Sequence, residues 1–259
     1  MKPMASPKQE IPYDQKFVFP LQDLANDRIR LTPFTSRHTL LKAKWNQPAK
    51  HAAAFFNATA ANPELYAHNS FGPYTSVSQL VNDFLEGPSV RETRTTVLFA
   101  VFAKEPSPSA SNISSPTATS EAEQLAGLLG YLNASPDNLS VEIGFIMTVP
   151  AFQRTYVTSN AVGLLMQYAF GPLGLRRVQW QCSAANAASV NAAKRMGFRL
   201  EGVKRWDRVY PNEKIGNGLR VGEGRGDGVG RDTAVLSVCW DDWEGGTKEA
   251  VQAVMDRAK

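Results

Sequence analysis

The chain predicts an α/β domain built on a mixed sheet, and three observations carry that expectation. Short runs rich in Val, Leu, Phe and Tyr alternate with helix-length amphipathic segments in the second half. Strands separated by such helices require at least one parallel pair. Hydrophobic residues make up 43% of 259 residues and charged residues 20%, enough to bury a sizeable core without metal or disulfide staples.

Residues 1 to 27 hold four prolines and mixed charge without periodicity, and read as an extended arm, with order beginning near Arg28. Arg28 to Phe34 alternates like a half-buried strand. Thr35-Ser36 offers an N-cap for a helix through Leu40, Leu41 and Trp45, and Ala49 to Ala60 is a second, alanine-rich helix. An aromatic loop follows from Leu65 to Tyr74. Ser76 caps a helix that presents Val77, Leu80, Val81, Phe84 and Leu85 on one face.

Thr95 to Ala103 and Leu125 to Leu132 are strands, separated by Glu105 to Ser120, where 11 of 16 residues are Ser, Thr or Pro. That composition cannot pack a core and is expected to be a disordered insertion, residues 105–120. Ser140 to Met147 is a strand, Thr158 to Phe170 a helix, Arg177 to Cys182 a strand and Ala187 to Met196 a helix. Strands at Arg199 to Arg208 and Thr233 to Trp240 close the domain, joined by Pro211 to Asp232, whose seven glycines suggest a flexible hairpin extension, residues 211–232. Trp180, Trp206 and Trp240 lie on strands and are expected in the core. The tail, 244–259, ends in a charged helix from Lys248 to Ala258.

Several classes are excluded at this stage. The formal charge of +4 comes from 28 Lys+Arg against 24 Asp+Glu spread singly or in pairs, which predicts no nucleic-acid partner. The longest uninterrupted apolar run, Val97 to Ala103, cannot span a bilayer, so no membrane association is expected. Cys182 and Cys239 cannot form a disulfide framework, and His38, His51 and His68 have no zinc spacing. The expectation is a cytoplasmic protein, monomeric or homodimeric, with no metal. Cys182, on an inward position with no histidine near in sequence, reads as packing rather than nucleophile.

The informative stretch runs from Glu142 to Phe198. A strand passes through a loop, Gln153-Arg154-Thr155-Tyr156-Val157, into a helix opening with Thr158, Ser159 and Asn160, and such a helix start suits a pyrophosphate. Then come Leu173-Gly-Leu-Arg-Arg-Val-Gln-Trp-Gln-Cys182, Asn186-Ala-Ala-Ser189 and Arg195-Met-Gly-Phe198. In this order and spacing the motifs resemble the GNAT superfamily of acetyl-CoA-dependent N-acyltransferases, in particular its ribosomal-protein alanine and serine N-acetyltransferase-like branch.

The resemblance spans 28–243 and implies a single domain with a twisted, mostly antiparallel sheet split beside the cofactor strand. It implies acetyl-CoA as cofactor, with backbone contacts at Ile146, Met147 and Thr148. A loop around the pyrophosphate would run from Gln153 and Arg154 through Thr155, Tyr156 and Val157 to Thr158 and Ser159. Asn186 and Ser189 would meet the pantetheine or sulfur end, with Arg195 among the cations near the phosphates. The family's loop usually carries glycines, whereas this one has none, which leaves the side chains of Tyr156 and Thr158 at the backbone approach.

Direct attack of an amine on the thioester needs a base and an acid for the leaving thiolate. Glu142, a carboxylate on a mostly buried strand, is the candidate base, and Ser189 the candidate acid. Tyr66, Phe71, Tyr74 and Asp232 are candidate contacts for the acceptor, a small-molecule or peptide amine. The alternative is a non-catalytic acyl-CoA-binding or scaffold protein that retains the fold.

Overall fold

The computed structural model describes residues 17–34, 48–104, 123–218 and 224–257. The helix expected after Thr35-Ser36 and the insertion 105–120 lie outside the described residues. Eight strands form one sheet: β1 (Leu24–Ala25), β2 (Ile29–Pro33), β3 (Val97–Ala103), β4 (Gln124–Ser135), β5 (Ser140–Thr148), β6 (Arg177–Ser183), β7 (Arg199–Tyr210) and β8 (Val229–Cys239). Their order is β1-β2-β3-β4-β5-β6-β8-β7. Every neighbouring pair is antiparallel except β5 and β6.

The helices α1 (Pro48–Thr59), α2 (Val77–Gln79, continuing as a π turn, Leu80–Leu85) and α3 (Pro88–Arg91) precede β3. They are followed by α4 (Val157–Phe170), α5 (Ala187–Arg195), α6 (Trp240–Asp242) and α7 (Lys248–Met255). Ser76 caps α2 as expected, its side chain accepting from the Gln79 N–H. No helix among the described residues is long and apolar enough to cross a membrane.

The strand β3 explains the two cores. It is buried along its whole length, so its residues alternate between layers. Val97, Phe99, Val101 and Ala103 join the core under α4 and α7, while Leu98, Ala100 and Phe102 join the core under α1, α2 and the aromatic loop. Helix α4 is buried nearly all round because α7 covers it. A Cβ at Gly163 would stand 2.2 Å from Met255 Sδ, so the glycine gives the methionine of α7 the space it occupies against α4.

Both ends of the chain are more deeply integrated than the sequence suggested. Order begins before Arg28: Phe17, Val18, Phe19 and Leu21 pack against the main core and β1 pairs with β2. Asn160, buried in α4, accepts from Asn26 Nδ2 at 2.6 Å and donates to the Met255 carbonyl at 3.1 Å, tying the leading segment to the tail helix. Residues 211–232 are likewise not simply a flexible extension. β7 runs to Tyr210, β8 starts at Val229, and Lys214 between them is buried. Trp180 is in the core, but Trp206 and Trp240 are half-exposed, since β7 is a sheet edge and Trp240 begins a helix.

Candidate active site

The site begins where the only parallel pair among the described residues stops. β5 and β6 are in register at Ser140–Arg177, Val141–Val178 and Glu142–Gln179, and there the pairing ends, although β6 stays paired with β8 as far as Ser183. The two strands splay beyond Glu142. Along β5 the register with β4 also shifts between Gly144 and Met147, and Phe145 takes a φ of 52° at that irregularity. The unpaired edge of β5 therefore lines an open groove.

A cavity of about 590 Å³ fills the split. One end is bounded by Ile146, Met147 and Thr148 of β5, by Gln153, Arg154 and Thr158, and by Asn186 and Ser189 of the α5 start. Arg154 takes a φ of 60°, in the left-handed region that favours glycine. Thr148 and Thr158 join through their hydroxyls at 2.7 Å, fixing the strand end to the helix start. The first turn of α4 leaves the backbone N–H groups of Thr158 and Ser159 without carbonyls four residues back, while the Val157 N–H donates to Thr155 Oγ1 at 3.3 Å. A phosphate-bearing ligand fits this end.

The other loop positions face away. The Tyr156 ring packs on the main core with the Arg28 guanidinium 5.2 Å over it, so it does not crowd the groove. Val157 is buried, the Thr155 hydroxyl donates to the Phe152 carbonyl at 2.6 Å, and the Ser159 hydroxyl donates to the Tyr156 carbonyl. These residues can offer only backbone to a ligand. Arg195 is exposed in the last turn of α5, one turn beyond Ala192, and does not line the cavity.

At the middle of the cavity stands Glu142. Strand alternation turns it away from the core that takes Val141 and Ile143. Its Oε2 accepts from Asn133 Nδ2 at 2.7 Å and from Gln181 Nε2 at 2.9 Å. Burial pushes its carboxyl above the usual carboxylate range, while the two amides and the charges of Arg208 and Arg231 hold the rise back. Asn133 reaches it from a left-handed position on β4, φ 49°, a conformation asparagine tolerates.

Asn186 caps α5 by accepting from the Ser189 N–H at 3.0 Å, and the Ser189 hydroxyl accepts from Trp180 Nε1 at 3.0 Å. The hydroxyl thus sits between the Trp180 indole and the Cys182 side chain at the cavity lining. Cys182 packs against the main core as expected, but it is only half-buried and also lines the cavity beside Ser189. Burial raises its thiol above the ordinary value, which leaves it protonated and a poor nucleophile.

The far end diverges from the sequence expectation. Of the four candidate acceptor residues only Phe71 lines the cavity. Tyr66 and Tyr74 are buried in the second core, where Tyr66 Oη lies 3.2 Å from Thr59 Oγ1. Asp232 points to the opposite face and accepts from the Trp206 N–H at 2.8 Å and from Asn217 Nδ2 at 2.9 Å, bracing the β7–β8 hairpin. Its neighbour Arg231 takes the cavity position instead, together with Arg208, Tyr210 and His68.

The loop carrying His68 and Phe71 is held by Lys214. That ammonium donates to the carbonyls of Tyr66 at 3.0 Å and Phe71 at 3.2 Å and also to that of Gly72. The Ile215 N–H donates to the Ala67 carbonyl alongside. A buried lysine capping three carbonyls is thus how the glycine-rich segment shapes the cavity wall, and burial lowers its pKa.

A forked parallel pair, a positive-φ turn into a helix and a buried carboxylate at the fork meet in one cavity. The family described as the acetyltransferase (GNAT) domain matches residues 28–199, more than half the chain, and the chain belongs to that family. Its fold is that of a GCN5-related N-acetyltransferase from Brucella melitensis, with a TM-score of 0.66 and 25% identity over 90% of this chain and 85% of that one. The Salmonella typhimurium acetyltransferase that modifies the N-terminal serine of ribosomal protein L7/L12 shares the fold at a TM-score of 0.58 and 16% identity, over 84% of this chain and 99% of that one. Among curated sequences, the uncharacterized N-acetyltransferase YoaA of Bacillus subtilis is 29% identical over 36% of this chain, and the match spans about half (51%) of that protein.

Proposed function

We propose that the protein transfers the acetyl group of acetyl-CoA to a primary amine, on a small molecule or a protein N-terminus, by direct attack in a ternary complex. The observation that carries this reading is Glu142, a buried carboxylate at the fork of β5 and β6 that is hydrogen-bonded only by neutral amides. When bound, acetyl-CoA supplies an acetyl thioester whose carbonyl carbon the free amine attacks as the C–S bond breaks.

Glu142 removes the proton that keeps the amine an unreactive ammonium, and its raised pKa makes it a better base than an exposed carboxylate. Ser189, its hydroxyl oriented by Trp180, delivers a proton to the leaving sulfur. Ile146, Met147 and Thr148 hold the pantetheine arm along the open edge of β5. The turn at Gln153 and Arg154 and the start of α4 receive the pyrophosphate. We further propose that the protein works in the cytoplasm as a monomer or homodimer, without nucleic acid or membrane.

The alternative of a non-catalytic coenzyme A-binding protein drew its support from the missing loop glycines. Of the two side chains that replace them, Tyr156 is packed away from the groove and the Thr158 hydroxyl is held by Thr148, which reduces that support. Incubation with acetyl-CoA and an amine panel, followed by thiol release, tests the reading. Amine-dependent release is expected, and acetyl-CoA binding without release to any amine would favour the non-catalytic alternative.

A further inference from the structure

We propose that the acceptor is an amine that also carries an anionic group, a carboxylate or a phosphate, bound by Arg231 and Arg208 at the far end of the cavity. This inference rests on the acetyl-transfer reading of the same site and names its substrate class.

Arg208 and Arg231 are direct cross-strand partners on β7 and β8, so both guanidinium groups stand on the same face of the sheet and both line the cavity. Like charges placed directly opposite one another are destabilising unless something offsets them. Arg208 is half-exposed with Asp207 at 3.6 Å beside it, and the charge of the same carboxylate, shared with Lys204, also acts on Arg231. Arg231 is 8% exposed. Its one hydrogen bond among the described residues goes from Nη1 to Tyr210 Oη at 2.5 Å, and its buried Nε has no partner.

Two further buried polar atoms on the same cavity wall, His68 Nδ1 and Thr93 Oγ1, also lack partners. Buried polar atoms left unpaired cost about 1–3 kcal/mol each, more when charged, so this part of the cavity lining is electrostatically uncompensated. Glu142 does not serve as their counter-ion. It is engaged by Asn133 and Gln181, and the arginines reach it only as a longer-range field.

The charge pattern therefore has a direction. An amine placed at Glu142 has two cations ahead of it and the thioester groove behind, and an acceptor with a second positive charge meets Arg231. A carboxylate or phosphate there pairs with the exposed Arg208 guanidinium beside Arg231 and neutralises the like-charge pair. The polyamine class is disfavoured by the same two residues.

Calorimetric titration of the full chain, paired with thiol-release kinetics, tests the proposal using ethanolamine, β-alanine, O-phosphoethanolamine and spermidine. β-Alanine or O-phosphoethanolamine is expected to bind at least tenfold more tightly than ethanolamine, and which of the two binds better distinguishes carboxylate from phosphate. Arg208→Gln, at a half-exposed position, is expected to cut that preference about tenfold, and Arg231→Met to remove it, while Arg231→Lys restores part of it. Ethanolamine or spermidine binding as tightly as the anionic amines overturns the proposal, as does a preference that survives both arginine variants. Transfer to amines without regard to charge would leave acetyl transfer standing and defeat the substrate class. Anionic preference without acetyl-CoA binding would do the reverse.

Discussion

The two ends of the cavity are built differently. The end formed by β5, the Arg154 turn and the α4 start presents mostly backbone, and the side chains of Tyr156, Val157, Thr155 and Ser159 are engaged elsewhere. The end beyond Glu142 presents side chains from segments far apart in the chain: His68, Asn133, Gln181, Arg208 and Arg231. Backbone recognition tolerates changes of residue type, whereas side-chain recognition is fixed by each residue and by the contacts that hold it. Substitutions at the second end should therefore cost more than comparable ones at the first.

The largest effect is expected at the boundary between the ends. Glu142→Gln should lower kcat/KM by roughly 10²- to 10⁴-fold, the usual contribution of a general base, with coenzyme A affinity unchanged by calorimetry. Because burial raises the Glu142 pKa, the wild-type rate should fall with decreasing pH through a limb above the ordinary carboxylate range, and that limb should vanish in the variant. A carboxyl whose folded pKa is raised stabilises the fold at low pH and loses that contribution as pH rises through the folded pKa. Glu142→Gln should accordingly melt at a higher temperature than wild type at neutral pH, with the gain disappearing in acid.

Lys214→Met should come next. It leaves the carbonyls of Tyr66, Phe71 and Gly72 without their shared donor, which costs about 1–3 kcal/mol for each buried group left unpaired. The melting temperature should fall and KM for the amine should rise, with the coenzyme A dissociation constant little changed. An equal loss of coenzyme A binding would break the division between the two ends.

Ser189→Ala removes the acceptor of Trp180 Nε1 and the proposed proton donor. It should slow thiol release about tenfold or more, within the range of general acid catalysis. The smallest effect is expected from Arg154→Gly. Relieving a left-handed backbone at a non-glycine residue should stabilise the turn by no more than about 1–2 kcal/mol and leave coenzyme A affinity within about threefold, because the main chain makes the turn.

The same division governed what could be read from the sequence. Strand alternation turned Glu142 away from the core, cap chemistry placed Ser76, and the contiguous motif from Glu142 to Phe198 pointed to the forked strands. Arg231 escaped because β8 was expected to start at Thr233 rather than Val229, so alternation was not extended to the two residues before it and Asp232 was chosen over its neighbour. The expectation for Tyr66 and Tyr74 failed because the orientation of their loop depends on Lys214, 148 positions from Tyr66 in the chain and inside a segment whose glycines suggested flexibility. Asn133 and Gln181 are polar residues on strands whose importance lies only in what they face.

The central claim is that the open edge of β5 and the turn at Arg154 receive acetyl-CoA. Calorimetric titration of the full chain with acetyl-CoA, read together with amide hydrogen exchange at Ile146 to Thr148, tests it most directly. The account predicts saturable binding of one molecule per chain with slowed exchange on that edge. No binding at millimolar acetyl-CoA, or saturation without protection of β5, would contradict it.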